Sequence, residues 1–289
     1  MESKLQKAYC MNQTIRIFVA DTTAIVKKAK EIFNLWPSSL TAFGRALTIS
    51  AIMSCTYKSG EFLNIKINGD GPIGRITIEA TDGKVRGFCQ NPGVSLIYND
   101  GRVNVKDAVG AGSIEVIKDL HMRQPFMSSS ELVSGEIAED FAYYFAKSEQ
   151  IPSSVSLGVL LDEDYNVKTA GGFLIQVMPG CKNEYIEKIE NNISKMKSVT
   201  ELLNLGYSLE DIINEITDGD YELLDNRELK YECSCSKERF ERGLISLGSD
   251  ELLDILNKDY KCEITCNFCN KKYVFDENDL KKLIFECKK

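Results

Sequence analysis

A single histidine, a single tryptophan and 6 prolines stand in a chain of 289 residues. One histidine excludes multi-histidine metal centres and leaves little material for imidazole acid–base chemistry. So few prolines exclude a collagen-like or proline-rich chain. A basic excess is also lacking: 35 Lys and Arg against 43 Asp and Glu leave a net charge of -8, so the bulk charge does not draw the chain to nucleic acid or acidic lipid. The longest uncharged apolar stretches, residues 46–57 and 150–161, fall short of the roughly 20 residues that span a bilayer, and no membrane span is expected. The opening MESKLQKAYCMNQTIRIF has no continuous apolar core of a secretory signal, which predicts a cytosolic protein.

What is present is an ordinary globular composition, 43% hydrophobic and 27% charged, long enough for about two domains. It also holds 10 cysteines. In a reducing compartment they are not expected to form a structural disulfide framework, leaving core packing, metal binding or redox chemistry to account for them.

The pattern predicts an α+β fold in three parts. Residues 1–181 read as a mixed α/β core domain. Ile15, Ile17 and Val19 alternate as a strand, helices are expected over 22–36 and 39–57, and short strands over 62–68, 75–80, 84–89 and 96–98 are separated by NGDGP, TDG and NDG turns that suit antiparallel hairpins. A further helix is expected over 135–147, capped by Ser134 with Glu136, Glu139 and Asp140 near its start. Residues 182–231 carry 12 acidic against 6 basic residues and read as an acidic helical linker. Ile186, Ile189, Ile193 and Met196 keep helical spacing, Ser198 with Glu201 and Ser208 with Asp211 are capping boxes, and Gly206 and Gly219 end the helices. Such a segment must lay its apolar stripe on a neighbour, and permanent packing there is the plain reading. Residues 232–289, with 12 acidic and 11 basic residues, form a module close to the size at which a core alone rarely suffices and a staple is needed.

Cys233-Ser-Cys235 and Cys266-Asn-Phe-Cys269 supply that staple. Two close thiol pairs separated by 30 residues fit a tetrahedral all-sulfur zinc site, and the polar Ser234, Ser236, Asn267 and Asn270 argue against four buried core cysteines. Lys237, Arg239, Lys261, Lys271 and Lys272 add positive charge favouring thiolates. Each thiol has a neighbour able to resolve a sulfenic acid, so oxidation is expected to give a local Cys233–Cys235 or Cys266–Cys269 disulfide, release zinc and unfold the module.

These pairs, the intervening SKERFERGLISLGSDELLDIL and the upstream ALTISA, GDGPIGRITIEA, KVRGF, SGEIAEDFAYYFAKSEQIPSSVSLGVLLD and AGGFLIQVMPG together resemble the redox-regulated 33 kDa chaperonin family of heat-shock holdases, over nearly the whole chain. The resemblance implies an ATP-independent chaperone without enzymatic turnover. Its reduced form holds one Zn2+ through Cys233, Cys235, Cys266 and Cys269 and is inactive. Disulfides within each pair then release the zinc, unfold the module and linker, and expose a surface that captures unfolding or oxidatively damaged client proteins, with homodimers forming on activation. HMRQPFMSSSEL departs from the family pattern, and Cys262 adds a thiol four residues before Cys266 that competes for zinc or oxidant in a minority reading.

Two rivals come from other classes. A zinc-ribbon nucleic-acid module needs a basic face the composition lacks. A dithiol oxidoreductase using Cys266 and Cys269 needs a βαβ context and leaves the CxC pair unused. Gly69-Asp-Gly71-Pro-Ile-Gly74 matches GxGxxG but lies between strands, so a hairpin turn is expected there. Glu136 with Glu139 or Asp140 is explained by a helix start, and His121 near Asp119 has no nucleophile elbow beside it. Cys10, Cys55, Cys89, Cys181 and Cys287 are expected to be buried as small apolar groups.

Overall fold

The computed structural model describes residues 2–287, which fall into two compact units, one ending at Glu232 and the other beginning at Cys233. The first is built on a ten-stranded sheet with helices on both faces. Its strands are β1 (Ser3–Cys10), β2 (Ile15–Asp21), β3 (Phe62–Gly69), β4 (Arg75–Thr81), β5 (Lys84–Cys89), β6 (Gly112–Asp119), β7 (Phe126–Glu131), β8 (Ser153–Leu161), β9 (Val167–Val177) and β10 (Tyr221–Tyr231). They lie in the order β7-β6-β3-β4-β5-β10-β1-β2-β9-β8. All neighbours are antiparallel except β10 and β5, a parallel pair of two register positions, Lys230 with Lys84 and Tyr231 with Val85, that joins two five-stranded halves.

One face packs on α1 (Thr23–Phe33), α2 (Pro37–Ser54) and the short α3 (Lys106–Val109). Proline, which lacks the N–H a helix start leaves unpaired, sits at the first position of α2. Every α2 residue except Arg45 is buried, so this helix is the centre of the larger core, with Phe43 and Leu47 fully enclosed. The uncharged run at 46–57 therefore lies in a core helix as far as Ser54. Alternation along β2 decides the other face: Phe18 and Ala20 join the α2 side, while Ile15, Ile17 and Val19 point away. With Phe173 and Ile175 of β9 they are covered by α5 (Asn183–Lys195), α6 (Val199–Asn204) and α7 (Leu209–Thr217) through Ile189, Leu202, Ile212, Ile213 and Ile216. Both expected capping boxes are present: Glu201 N donates to Ser198 Oγ at 3.3 Å and Asp211 N to Ser208 Oγ at 3.1 Å.

Three expectations need correction. Residues 221–231 of the acidic linker form strand β10 rather than helix, because β1 offers them an antiparallel partner from Ser3 to Cys10. Residues 96–98 form only an isolated bridge between Ile97 and Val103. The helix expected over 135–147 is α4 (Ala138–Tyr144) followed by a π-helical turn over Phe145–Glu149. Ser134 does not cap it. Instead the fully buried Asp140 carboxylate accepts hydrogen bonds from the backbone N–H groups of Val133 (2.7 Å), Ser134 (2.8 Å), Gly135 (3.2 Å) and Ile137 (2.8 Å), while Ser134 Oγ accepts from Glu136 N.

The second unit contains α8 (Lys237–Ile245), α9 (Ser249–Asp259), a hairpin of β11 (Cys262–Thr265) and β12 (Lys272–Phe275), and α10 (Glu277–Glu286). Its core is thin: Leu244, Leu252, Tyr273, Phe275, Leu280, Leu283 and Ile284 are its buried apolar residues. A core of that size gives only a few kcal/mol, so a cross-link is needed for independent stability.

Candidate metal centre

Three local structures present the thiols of the second unit. Cys233 and Cys235 lie on the extended segment entering α8, whose N-cap is Ser236, with Arg239 N donating to its Oγ at 3.3 Å. Cys266 and Cys269 flank a tight turn in which Cys269 N (3.3 Å) and Asn270 N (2.8 Å) donate to the Cys266 carbonyl, with Asn270 in the left-handed region at φ 56. The β11–β12 hairpin closes that turn through Cys266 N to the Lys271 carbonyl at 2.9 Å.

All four sulfurs lie within 4.8 Å of one another. Cys233 Sγ is 3.7 Å from Cys266 Sγ, and Cys235 Sγ is 3.4 Å from Cys269 Sγ. A tetrahedron of sulfurs around a metal at about 2.3 Å has edges of about 3.8 Å, so the quartet has the spacing such an ion requires. Among the described residues it is the group of metal-binding side chains brought this close. Cys266 is buried and the other three are partly exposed, so the cluster combines a fixed inner sulfur with accessible outer ones.

The surroundings tune the sulfurs through hydrogen bonds. The Tyr273 hydroxyl lies 3.0 Å from the Cys235 carbonyl and 3.1 Å from its Sγ, and the ring is fixed against Phe240 at a centroid distance of 4.9 Å. Burial opposes ionisation of Cys235, but the Tyr273 hydroxyl and the neighbouring thiols outweigh it and bring this thiol down to about 7. Burial pushes Cys266 and Cys269 up. The lysines contribute less than their positions in sequence suggest: Lys237 is paired with Asp279 at 2.6 Å and Lys272 with Glu263 at 2.8 Å. Sequence reasoning missed Tyr273, although the alternation that buries Tyr273 and Phe275 on β12 is a readable signal.

The chain as a whole is similar to known proteins. The profile of the family described as "Hsp33 protein" matches residues 3–276. The chain belongs to the Hsp33 family. A 33 kDa chaperonin of Acholeplasma laidlawii is 45% identical, covering 96% of this chain and 97% of its own. One from Alkaliphilus metalliredigens is 42% identical, over 99% and 100%. The crystal structure of the 33 kDa chaperonin (heat shock protein 33 homolog) of Thermotoga maritima superposes with a TM-score of 0.93 at 35% identity, covering all of both chains. The chain is thus an Hsp33-family chaperone with a large mixed sheet and a four-cysteine C-terminal unit able to hold a metal ion.

The remaining candidates have structural roles in this Hsp33 chain. Cys262 lies on β11 against the C-terminal core, outside the sulfur quartet. Cys10, Cys55 and Cys89 are buried as expected, whereas Cys181 and Cys287 are only partly buried. Gly69 to Gly74 forms the β3–β4 turn, with Gly71 N donating to the Val109 carbonyl at 3.0 Å. Glu136 is paired with Arg45 at 2.5 Å, and Asp140 is consumed by backbone N–H groups. His121 N donates to Asp119 Oδ1 at 3.0 Å, and its ring Nε2 contacts the Gly60 carbonyl. The departing stretch HMRQPFMSSSEL forms the β6–β7 turn and edge strand β7, leaving Met122, Phe126 and Met127 exposed. No helix among the described residues is long and apolar enough to cross a membrane.

Proposed function

We propose that this Hsp33 chain is a cytoplasmic, redox-switched holdase. In the reduced state Cys233, Cys235, Cys266 and Cys269 hold one zinc ion as thiolates, and the protein is quiescent. The bound ion supplies the cross-link that a unit with so thin a core requires. Peroxide-type oxidants convert Cys233 with Cys235, and Cys266 with Cys269, to disulfides; each bond formed takes two electrons from a thiolate pair and, with two protons from solvent, reduces one peroxide to two waters. The ligand electron pairs are then lost, the ion leaves and the C-terminal unit melts.

The observation that carries the reading is the sulfur quartet, within 4.8 Å, in a unit with few buried apolar side chains. A second supports its output. The acidic layer α5–α7 covers the apolar sheet face of Ile15, Ile17, Phe173 and Ile175, and β10, which follows that layer and ends two residues before Cys233, meets β5 at only two positions. In this reading the melting of the second unit reaches the layer through the chain that joins β10 to Cys233, at the β10 end that β5 holds so sparsely. The uncovered face has the apolar chemistry to hold extended segments of unfolding clients. Activated chains pair as homodimers, and neither nucleic acid nor membrane is a partner.

The test follows zinc content and suppression of client aggregation on one sample, before and after peroxide with mild heat. Zinc release that accompanies holdase activity supports the switch. Activity appearing while zinc stays bound, or an unaltered response in a Cys233→Ser, Cys235→Ser variant, refutes it.

A further inference from the structure

Four thiols of the N-terminal unit, Cys10, Cys55, Cys89 and Cys181, remain outside this account, and strand register places Cys10 and Cys181 near each other. Cys10 of β1 is directly opposite Ile15 of β2, and Ile15 is directly opposite Val177 of β9, so the three share one row and one face of the sheet. From Val177 the chain turns at Met178, whose N–H donates to the Thr14 carbonyl at 2.8 Å, and Cys181 N donates back to the Met178 carbonyl at 3.3 Å. The turn therefore brings Cys181 over the face that carries Cys10 and Ile15, and both cysteines border the same apolar cluster. Tyr185, at the start of α5, is fastened to the β1–β2 turn by Asn12 Nδ2 at 3.0 Å. Burial first, then Asp220 and Cys181, push the Cys10 thiol up to about 12.

We infer that Cys10 and Cys181 are a second oxidisable dithiol, separate from the metal centre, that closes to a disulfide under peroxide. Cys181 is half-exposed and lies outside any helix or strand, between β9 and α5, so it meets oxidant first and has freedom to move; Cys10 is fixed and buried. Peroxide oxidises the Cys181 thiol to a sulfenic acid with loss of one water. The Cys10 sulfur then attacks that sulfur, the S–O bond breaks, and the hydroxyl leaves as a second water with the Cys10 proton. Two electrons pass from the thiols to one peroxide. Linking residue 10 to residue 181 closes a long loop, which restrains the unfolded chain strongly, so the thermal midpoint of the N-terminal unit rises by on the order of 5 °C. Where the proposed holdase switch operates, the oxidant that melts one unit would thus brace the other.

The experiment treats the full-length zinc-loaded chain with hydrogen peroxide, blocks residual thiols, and maps disulfides in a non-reducing digest by mass spectrometry. A peptide joining Cys10 to Cys181 is expected in the wild type and absent from Cys181→Ser, with the midpoint rising only in the wild type. Cys10→Ala leaves Cys181 to proceed to the sulfinic acid. Thiols that stay reduced at both positions, or wild-type Cys181 found as sulfinic acid without a link, overturn the inference; a link without a change in midpoint overturns the bracing. Zinc release is read on the same samples: zinc released without the link refutes this dithiol alone, and the link formed with zinc retained after holdase activation refutes the metal switch alone.

Discussion

The Tyr273 hydroxyl lies 3.1 Å from Cys235 Sγ, so the hairpin that carries one thiol pair also reaches a sulfur of the other. Groups of this kind, outside the ligand set, orient ligands and tune metal affinity. Tyr273→Phe keeps the ring against Phe240 and deletes only the hydroxyl. Zinc affinity is expected to fall roughly tenfold with the unit still folded. Competition with a chromophoric chelator measures it, and an affinity equal to wild type would show that the contact does not tune the site.

Cys262 and Cys266 lie four residues apart, and only Cys266 is in the quartet. Cys262→Ser is expected to retain one zinc per chain and Cys266→Ser to lose it, together with the helical signal of the C-terminal unit, because removing one ligand opens the site. Metal analysis after dialysis decides it; zinc loss in Cys262→Ser would transfer that residue to the ligand set.

Asp140 is fully buried and satisfies four backbone N–H groups between Val133 and Ile137. Asp140→Ala leaves them unpaired and is expected to destabilise the N-terminal unit by about 3–5 kcal/mol, read from urea unfolding. Asp140→Asn, which retains acceptor oxygen, should cost less. Equal losses in the two variants would show that the acceptor geometry is not what matters.

The caps of α6 and α7 set how readily the acidic layer lifts. Ser198→Ala and Ser208→Ala are each expected to cost about 1 kcal/mol of local helix stability, seen as faster amide exchange over 199–217 with zinc content unchanged. The pH dependence has a definite sign. The Ser198 hydroxyl and backbone N–H hold Glu201 below the ordinary carboxyl range, and those of Ser208 do the same for Asp211. A carboxylate depressed in the folded state stabilises it above its unfolded pKa and loses that contribution as pH falls through the folded value. Protection of the amides of α6 and α7, corrected for the intrinsic exchange rate, should therefore fall as pH drops below about 4, with the Ala variants losing less of it. A pH response identical in variants and wild type would remove the caps as its cause.

The thiol quartet, the capping boxes and most hairpins of the N-terminal half were legible because each is a local pattern: CxC, CxxC, Ser with an acid three residues on, and alternating runs divided by Gly and Asp turns. Residues 221–231 were not. YELLDNRELKY has acidic residues and leucines compatible with a helix, and it becomes a strand because β1, more than 200 residues earlier, presents an unpaired edge. The fold of the loop just before it converts Asp140 from a helix-start acid into an anchor for residues 133–137, and long-range strand pairing places Cys10 and Cys181 over one patch of sheet. What the amino-acid order determined by itself was therefore the set of sulfurs and the stretches able to cap or alternate, since those depend on neighbours a few residues away. Only the tertiary structure decided which face the acidic helices cover, which edge takes β10 and which hydroxyl reaches Cys235, because each depends on partners that the folded sheet and the C-terminal hairpin bring together.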